Sequence, residues 1–291
     1  MIYGIKQVLN YALGRDIAGR TLAVRPDDTF IVSYPRSGNT WTRFLIANLL
    51  FAGQPVSFAN IELLIPDAEA QSSRYMKRVR GPRVIKSHQY FDHRYPKVLY
   101  ITRDPRDVAV SYYNFSRKYR HIADDYPLEQ YVHGFVTGTP LSSGWGTWAE
   151  NVGTWVVARN GRPTFLLLRY EDLLADTQTE LAKVARFFGV DASPGELSRA
   201  IENSSADHLR ELEKKEGEAW VTTKNKRSDI PFIGSAAAGK WKSVLPGAAV
   251  EEIESAWGNT MAQLGYELVT RKAESVETQL AAMAVLREQG E

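Results

Sequence analysis

Between Phe30 and Leu50 the chain reads FIVSYPRSGNTWTRFLIANLL. Phe30–Tyr34 is a short apolar run of β-forming residues. A Pro-Arg-Ser-Gly-Asn-Thr turn follows, and Thr40–Phe51 returns apolar residues at helical spacing. A strand that empties into a tight turn and then a helix is the opening βα unit of a parallel sheet. Three later runs fit the same scheme: Arg83–His88 (RVIKSH), Lys97–Thr102 (KVLYIT) and Thr164–Tyr170 (TFLLLRY). The last is nearly continuous in apolar residues, as a strand covered on both faces requires. Asp104-Pro105, directly after the third run, is helix-opening chemistry.

Beyond the fourth run, helices dominate the chain. Asp176–Phe188 carries Leu181, Val184, Ala185 and Phe188 in helical phase and stops at Gly189. Weaker patterns cover Pro194–Asn203, Asp207–Lys215 and Ala248–Leu264. Gly217–Gly239 is polar and glycine-bearing and reads as the mobile stretch. No repeat or linker divides the chain, and 44% hydrophobic residues suffice for a sizeable core. The expected fold is one α/β domain over residues 30–268, a central parallel sheet flanked by helices. A helical segment at 1–29 is expected to dock on it, and residues 269–291 to form a helical tail.

The amphipathic N-terminal face (Ile2, Ile5, Val8, Leu9, Ala12, Leu13) carries few cations, which favours docking over a membrane-surface anchor. No apolar run reaches the ~18 residues of a membrane span, nothing reads as a signal peptide, and a cytoplasmic location is expected. The 36 Lys+Arg against 34 Asp+Glu leave a net charge of +2, which excludes the broad cationic field of a nucleic-acid binder. Any anion site must be assembled from a few placed residues. The absence of cysteine excludes disulfides, thiolate metal sites and a cysteine nucleophile.

The turn at Pro35–Thr40 is such a site. Free N–H groups of the first helical turn and the helix dipole favour an anion there. Gly38 allows close approach, Ser37 and Thr40 offer hydroxyls, and Arg36 supplies charge. The alternative is a turn whose hydroxyls only cap the helix. The turn is not a Walker loop, which needs a hydroxyl for Mg²⁺ after its lysine. A second stretch, GSAAAGKW from Gly234 to Trp241, comes nearer to that pattern, but Trp241 stands where the hydroxyl belongs. The strands end in Arg103 and in Arg169-Tyr170 where a metal-dependent phosphotransferase would show an acid. Asp104, Glu171 and Asp172 lie close enough to keep that reading open. No metal ligands are assigned.

SYPRSGNTW resembles the 5′-phosphosulfate loop of sulfotransferases that use 3′-phosphoadenosine 5′-phosphosulfate (PAPS), and VIKSHQYF their catalytic-histidine strand. YITRDPRDVAVSYYNF is similar to their 3′-phosphate motif, and GTWAENVGTW, LLLRYEDL and GKWKSVLP come after it in family order. The resemblance spans Phe30 to Leu268 and implies a P-loop-like sulfotransferase fold. It implies that a sulfuryl group passes from PAPS to a hydroxyl, less readily an amine, releasing PAP without a metal. The acceptor would be a small molecule or a lipid or glycan hydroxyl. A non-catalytic PAP-binding module is the other reading.

The same resemblance places Arg36, Ser37, Gly38, Asn39 and Thr40 around the 5′-phosphosulfate and Trp41 on adenine. Arg103 and Ser111 fall on the 3′-phosphate, Tyr170 on the nucleotide, and His88 and Lys86 at the sulfuryl group. Chemistry agrees: transfer needs fixed positive charge, here Arg36 and Lys86, and a base, for which His88 at a strand end beside a lysine is suited.

Three positions depart from the family. Arg36 replaces a lysine, and Ala206 stands where many members stack a phenylalanine on adenine. Gly234-Ser235-Ala236 replaces Arg-Lys-Gly at the 3′-phosphate, leaving Ser235 and backbone N–H groups to bind it. Lys224, Lys226, Arg227 or Lys240 are candidates to restore the charge. Trp145, Trp148, Trp155, Tyr90, Phe91 and Trp220 are candidates for an apolar acceptor mouth. Trp148 and Trp155, seven apart, also fit one buried helix stripe, and Trp220 suits a lid. The family's short C-terminal dimer motif has no match, and the oligomeric state is not assigned.

Overall fold

The computed structural model describes residues 16–138, 144–234 and 236–270. Residues 1–15 of the expected N-terminal helical segment (1–29), Ser235 and the tail beyond 270 lie outside the described residues, and the described part of that segment carries only a short 3-10 turn at Gly19–Thr21. Four parallel strands, β1 (Thr29–Ser33), β2 (Val84–Ser87), β3 (Lys97–Thr102) and β4 (Phe165–Arg169), form one sheet in the order β2-β1-β3-β4. Ile31 of β1 pairs with Lys86 on one side and Leu99 on the other.

The period of two along each strand divides the core. Phe30, Val32, Val98 and Tyr100 bury into one cluster, and Ile31, Leu99 and Ile101 into the other. Helices therefore cover both faces, as an all-parallel sheet requires. After β1 comes α1 (Asn39–Leu50), whose Phe44, Leu45 and Ile46 are fully buried on the Ile31 side. Two short helices, α2 (Ile61–Leu64) and α3 (Ser73–Arg78), lead to β2. Next come α4 (Pro105–Lys118), α5 (Leu128–Thr137) and α6 (Trp148–Arg159). They bury Val108, Tyr131, Phe135, Trp148 and Trp155 on the opposite face. A capping box, Thr147 with Glu150, starts α6.

After β4 come α7 (Tyr170–Ala175), α8 (Thr177–Phe188), α9 (Pro194–Glu202) and α10 (Ala206–Glu216). The chain closes with α11 (Trp241–Val244) and α12 (Gly247–Gln263). Tyr170, expected to end the fourth strand, instead opens α7. Among the described residues no helix is long and apolar enough to cross a membrane.

The expectation of a loosely held stretch at Gly217–Gly239 is corrected. Lys118 Nζ donates to the carbonyls of Arg227 and Ile230, each at 2.6 Å. Glu213 accepts from the N–H groups of Phe232 at 2.6 Å and Ile233 at 2.9 Å. Asp107 holds the far end, accepting from Gly239 N–H at 2.7 Å and Trp241 N–H at 3.0 Å. The segment is a strap fastened by charged side chains of α4 and α10, and hydrophobic periodicity cannot register such anchors.

Candidate active site

The strand order places a switch point at the carboxyl ends of β1 and β3, whose following helices depart in opposite directions, and α/β sheets open a crevice there. Residues 34–38 after β1 and Arg103 after β3 meet in it: Arg103 Nη1 donates to the Arg36 carbonyl at 3.3 Å. A cavity of about 880 Å³ lies over this junction. Its walls include Arg36, Gly38, Asn39, Thr40, Trp41, Lys86, His88, Arg103, Ser111, Tyr170 and Lys240, so the chain fold assembles sequence positions 204 apart, from 36 to 240, at one crevice.

Gly38 is the N-cap of α1 at φ 93°, and no side chain caps the helix, so its first-turn N–H groups are left to a ligand. The capping alternative for Ser37 and Thr40 is thereby set aside. A Cβ on Gly38 would lie 2.4 Å from Tyr170 Cδ2, so the glycine is what lets that ring pack under the loop. The Arg103 guanidinium lies over the same ring at 4.3 Å, and Trp41 meets it edge-on at 5.7 Å. Ser37 Oγ and Arg103 Nε are buried without a hydrogen-bond partner, two donors awaiting an acceptor. Arg103 lines the cavity and Ser37 does not, so the uncapped helix start and the spare Arg103 donor are what fit this crevice to an anionic cofactor.

Two side chains in this loop do not follow the expected pattern. Asn39 turns its amide inward, donating to Ser33 Oγ at 3.1 Å, so it can offer an anion only its backbone. Arg36, at a left-handed φ of 69°, sends its guanidinium against the rings of Phe115 and Phe232, at 5.1 and 4.8 Å. Its Nε donates to Ser111 Oγ at 3.1 Å and its Nη2 to the Phe232 carbonyl at 3.3 Å. Arg36 thus stands between Arg103 and Ser111, the two residues the resemblance pairs on one phosphate. Burial lowers its pKa to about 10, which leaves it charged at neutral pH.

His88 follows β2 directly. Its Nδ1 lies 2.8 Å from the Ser33 carbonyl. A carbonyl only accepts, so Nδ1 carries the hydrogen and Nε2 is the free base nitrogen. Burial, aided by Lys86, lowers the imidazole pKa to about 3 and keeps the ring neutral. Trp145 meets the ring edge-on at 5.8 Å.

Lys86 is not a free cation. Its Nζ lies 2.8 Å from Asp67 and 3.2 Å from Glu69, all three side chains about 90% buried. Burial works against the ammonium, but the two carboxylates outweigh it and raise its pKa. Burial also pushes Asp67 upward, yet Lys86 and Arg43 hold it at about 2, whereas burial and the Asp67 charge carry Glu69 to about 7. Sequence reading missed both acids. They stand seventeen and more residues before Lys86 and reach it only because Asp67 bridges to Lys86 beside β2.

The aromatic candidates separate. Trp145 and Trp220 line the cavity, whereas Trp148 and Trp155 are wholly buried core. Tyr90 and Phe91 border a separate shallow depression beside Arg20 and Val157. Trp220 packs on Phe58 and Phe232 at 4.7 and 5.1 Å and donates to Glu62 at 3.0 Å, a wall rather than an exposed lid. Of the acids that kept phosphotransfer open, Asp104 caps α4 and pairs with Arg106 at 2.7 Å, and Glu171 accepts from Asp104 N–H at 2.9 Å. The GSAAAGKW stretch precedes a helix of only four residues, and Asp107 occupies two of its N–H groups.

The model of the sulfotransferase domain matches residues 26–265. The 3-beta-hydroxysteroid sulfotransferase of Cavia porcellus is 29% identical over 250 residues, covering 82% of this chain and 85% of that protein. Sulfotransferase 2A1 of Homo sapiens is 27% identical over 255 residues, 84% and 88% of the two chains. Among solved structures, retinol dehydratase with androsterone and PAP superposes with a TM-score of 0.68 at 20% identity, covering 90% of this chain and 87% of that one. Mouse SULT7A1 with PAP gives 0.65 at 20% identity, over 83% and 87%. The matched region runs from just before β1 to just past α12 and so encloses every residue of the crevice, and the chain belongs to the sulfotransferase family.

Proposed function

We propose that this sulfotransferase uses PAPS, with the phosphosulfate against the first turn of α1 and His88 as the base that takes the proton of a small-molecule hydroxyl acceptor. The observation that carries the reading is the His88 Nδ1 contact with the Ser33 carbonyl at 2.8 Å. It leaves Nε2 unprotonated in the cavity that the uncapped helix start, Arg36 and Lys86 also line. PAPS would supply an activated sulfuryl group on a stable leaving group. The N–H groups of the loop would bind and orient that anion. Arg36, fixed by Ser111 and the two rings, would contribute positive charge, and Lys86 would contribute it from the acceptor side.

Trp41 and Tyr170 are assigned to the nucleotide, and Lys240 to its outer phosphate. Ser235 remains assigned there by the resemblance alone. Trp145, Tyr112 and Trp220 give the acceptor end apolar walls. With hydroxysteroid sulfotransferases among the relatives, a bulky apolar alcohol or phenol is the acceptor class that suits them.

The test is transfer of ³⁵S from labelled PAPS to a panel of sterols, phenols and long-chain alcohols by EDTA-treated protein. A labelled sulfate ester and PAP are expected. His88→Ala should lower kcat by ~10²–10⁴ with PAP affinity kept. A His88→Ala protein as active as the wild type would refute the base assignment, and binding of ATP–Mg²⁺ in place of PAP would refute the donor.

A further inference from the structure

The stretch Gly234–Ala237 is neutral, yet cations of two different elements converge on it. Arg103, after β3, donates from Nη2 to the Ala237 carbonyl at 3.0 Å. Arg210, from α10, donates from Nη2 to the Gly234 carbonyl at 2.9 Å. Both arginines line the same cavity, and Lys240 borders it at the end of the stretch.

Three other cations of that wall are held by buried acids or backbone carbonyls. Lys86 sits between two carboxylates, Lys118 binds two strap carbonyls, and Arg43 faces Glu62 at 2.9 Å. Arg210 differs. Its carboxylate partner, Asp207, lies one turn back on the same helix with a side chain 95% exposed. Such an i,i+3 surface pair is weak and readily given up. Its other acceptor is an uncharged carbonyl. A phosphate offers the same guanidinium a charge-assisted and bidentate partner, which is roughly twice as strong per bond.

We infer that Arg210 is a specificity-determining residue that, opposite Arg103, grips the 3′-phosphate of the donor nucleotide. It supplies from α10 the charge that Gly234-Ser235-Ala236 lacks. The inference rests on the PAPS reading. It replaces the sequence-based candidates Lys224, Lys226 and Arg227. Arg227 is committed to Asp124 and Asp229, and neither lysine lines the cavity.

Calorimetric titration with PAP and with 5′-AMP separates this inference from the reading beneath it. The wild type should bind PAP at least tenfold tighter than AMP. Arg210→Ala should weaken PAP about tenfold, about 1.4 kcal/mol, with AMP unchanged, and Arg210→Lys should recover part of the loss. Lys214→Ala, which removes an exposed cation one turn on, should leave both affinities unchanged. A wild type that does not distinguish PAP from AMP overturns the donor reading and the inference with it. Discrimination that survives in Arg210→Ala, or an equal loss of PAP and AMP, overturns Arg210 alone.

Discussion

Gly38→Ala tests whether the donor loop is held by contact with Tyr170. Two costs act together. At φ 93° an L-residue costs ~1–2 kcal/mol relative to glycine. The new methyl would meet Tyr170 Cδ2 at 2.4 Å and Cε2 at 2.8 Å. The ring is nearly buried and in contact with Arg103, so it cannot step aside freely, and overpacking of that kind costs ~1–3 kcal/mol. The sum is ~2–5 kcal/mol, a fall in Tm of ~4–20 °C at ~2–4 °C per kcal/mol. Urea unfolding gives the free energy, and a double-mutant cycle apportions it. Tyr170→Ala removes the ring but leaves the backbone cost, so the two changes should couple by ~1–3 kcal/mol. A Gly38→Ala cost below ~0.5 kcal/mol, or strict additivity with Tyr170→Ala, would show that the loop is not braced by the ring.

The buried groups near the sulfuryl position lead to two further outcomes. ¹⁵N spectra should show His88 as the Nδ1–H tautomer and neutral down to about pH 4, since its pKa is lowered to about 3 from 6.5. The unfolded chain therefore takes up this proton first. His88 contributes stability above the unfolded value that is lost as pH falls from about 6.5 toward about 3, and His88→Gln should flatten that part of the unfolding profile. Imidazole signals titrating near 6.5 would contradict the burial argument. Lys86→Met should cost ~3–5 kcal/mol by leaving Asp67 and Glu69 without their cation, and adding Asp67→Asn and Glu69→Gln should recover most of it. If the single change is as stable as the wild type, Lys86 is not held by the two acids.

Local features were the legible part of the sequence. The four strands lie within about two residues of their expected bounds because each is a compact apolar run between polar turns. The loop and His88 were legible because they sit at strand ends, and the fold carries strand ends to one crevice, whereas Arg103 and Ser111 were named through the family resemblance alone. Asp67, Glu69, Arg210 and the strap anchors Lys118 and Glu213 were not. Each acts across a tertiary contact from a segment whose own pattern is that of an ordinary solvated helix or loop. Arg210 in particular stands in ADHLRELEKKE, where every charge reads as surface.

If Arg210 acts as inferred, the same distinction lets the chain depart from the family at the 3′-phosphate loop and keep the site. A phosphate is bound by cations at the right place, not by the segment that delivers them. Here α10 packs against the strap through Glu213, which takes the N–H groups of Phe232 and Ile233, and so fixes the distance between that helix and Gly234. Once that distance is fixed, an arginine one turn before Glu213 reaches the loop carbonyl as surely as a loop arginine would reach the ligand. Phe232 in turn is one of the two rings that hold Arg36. The donor loop after β1, the strap and α10 are therefore coupled through Arg36, Phe232 and Glu213, and a change in the strap should alter both ends of the nucleotide site at once.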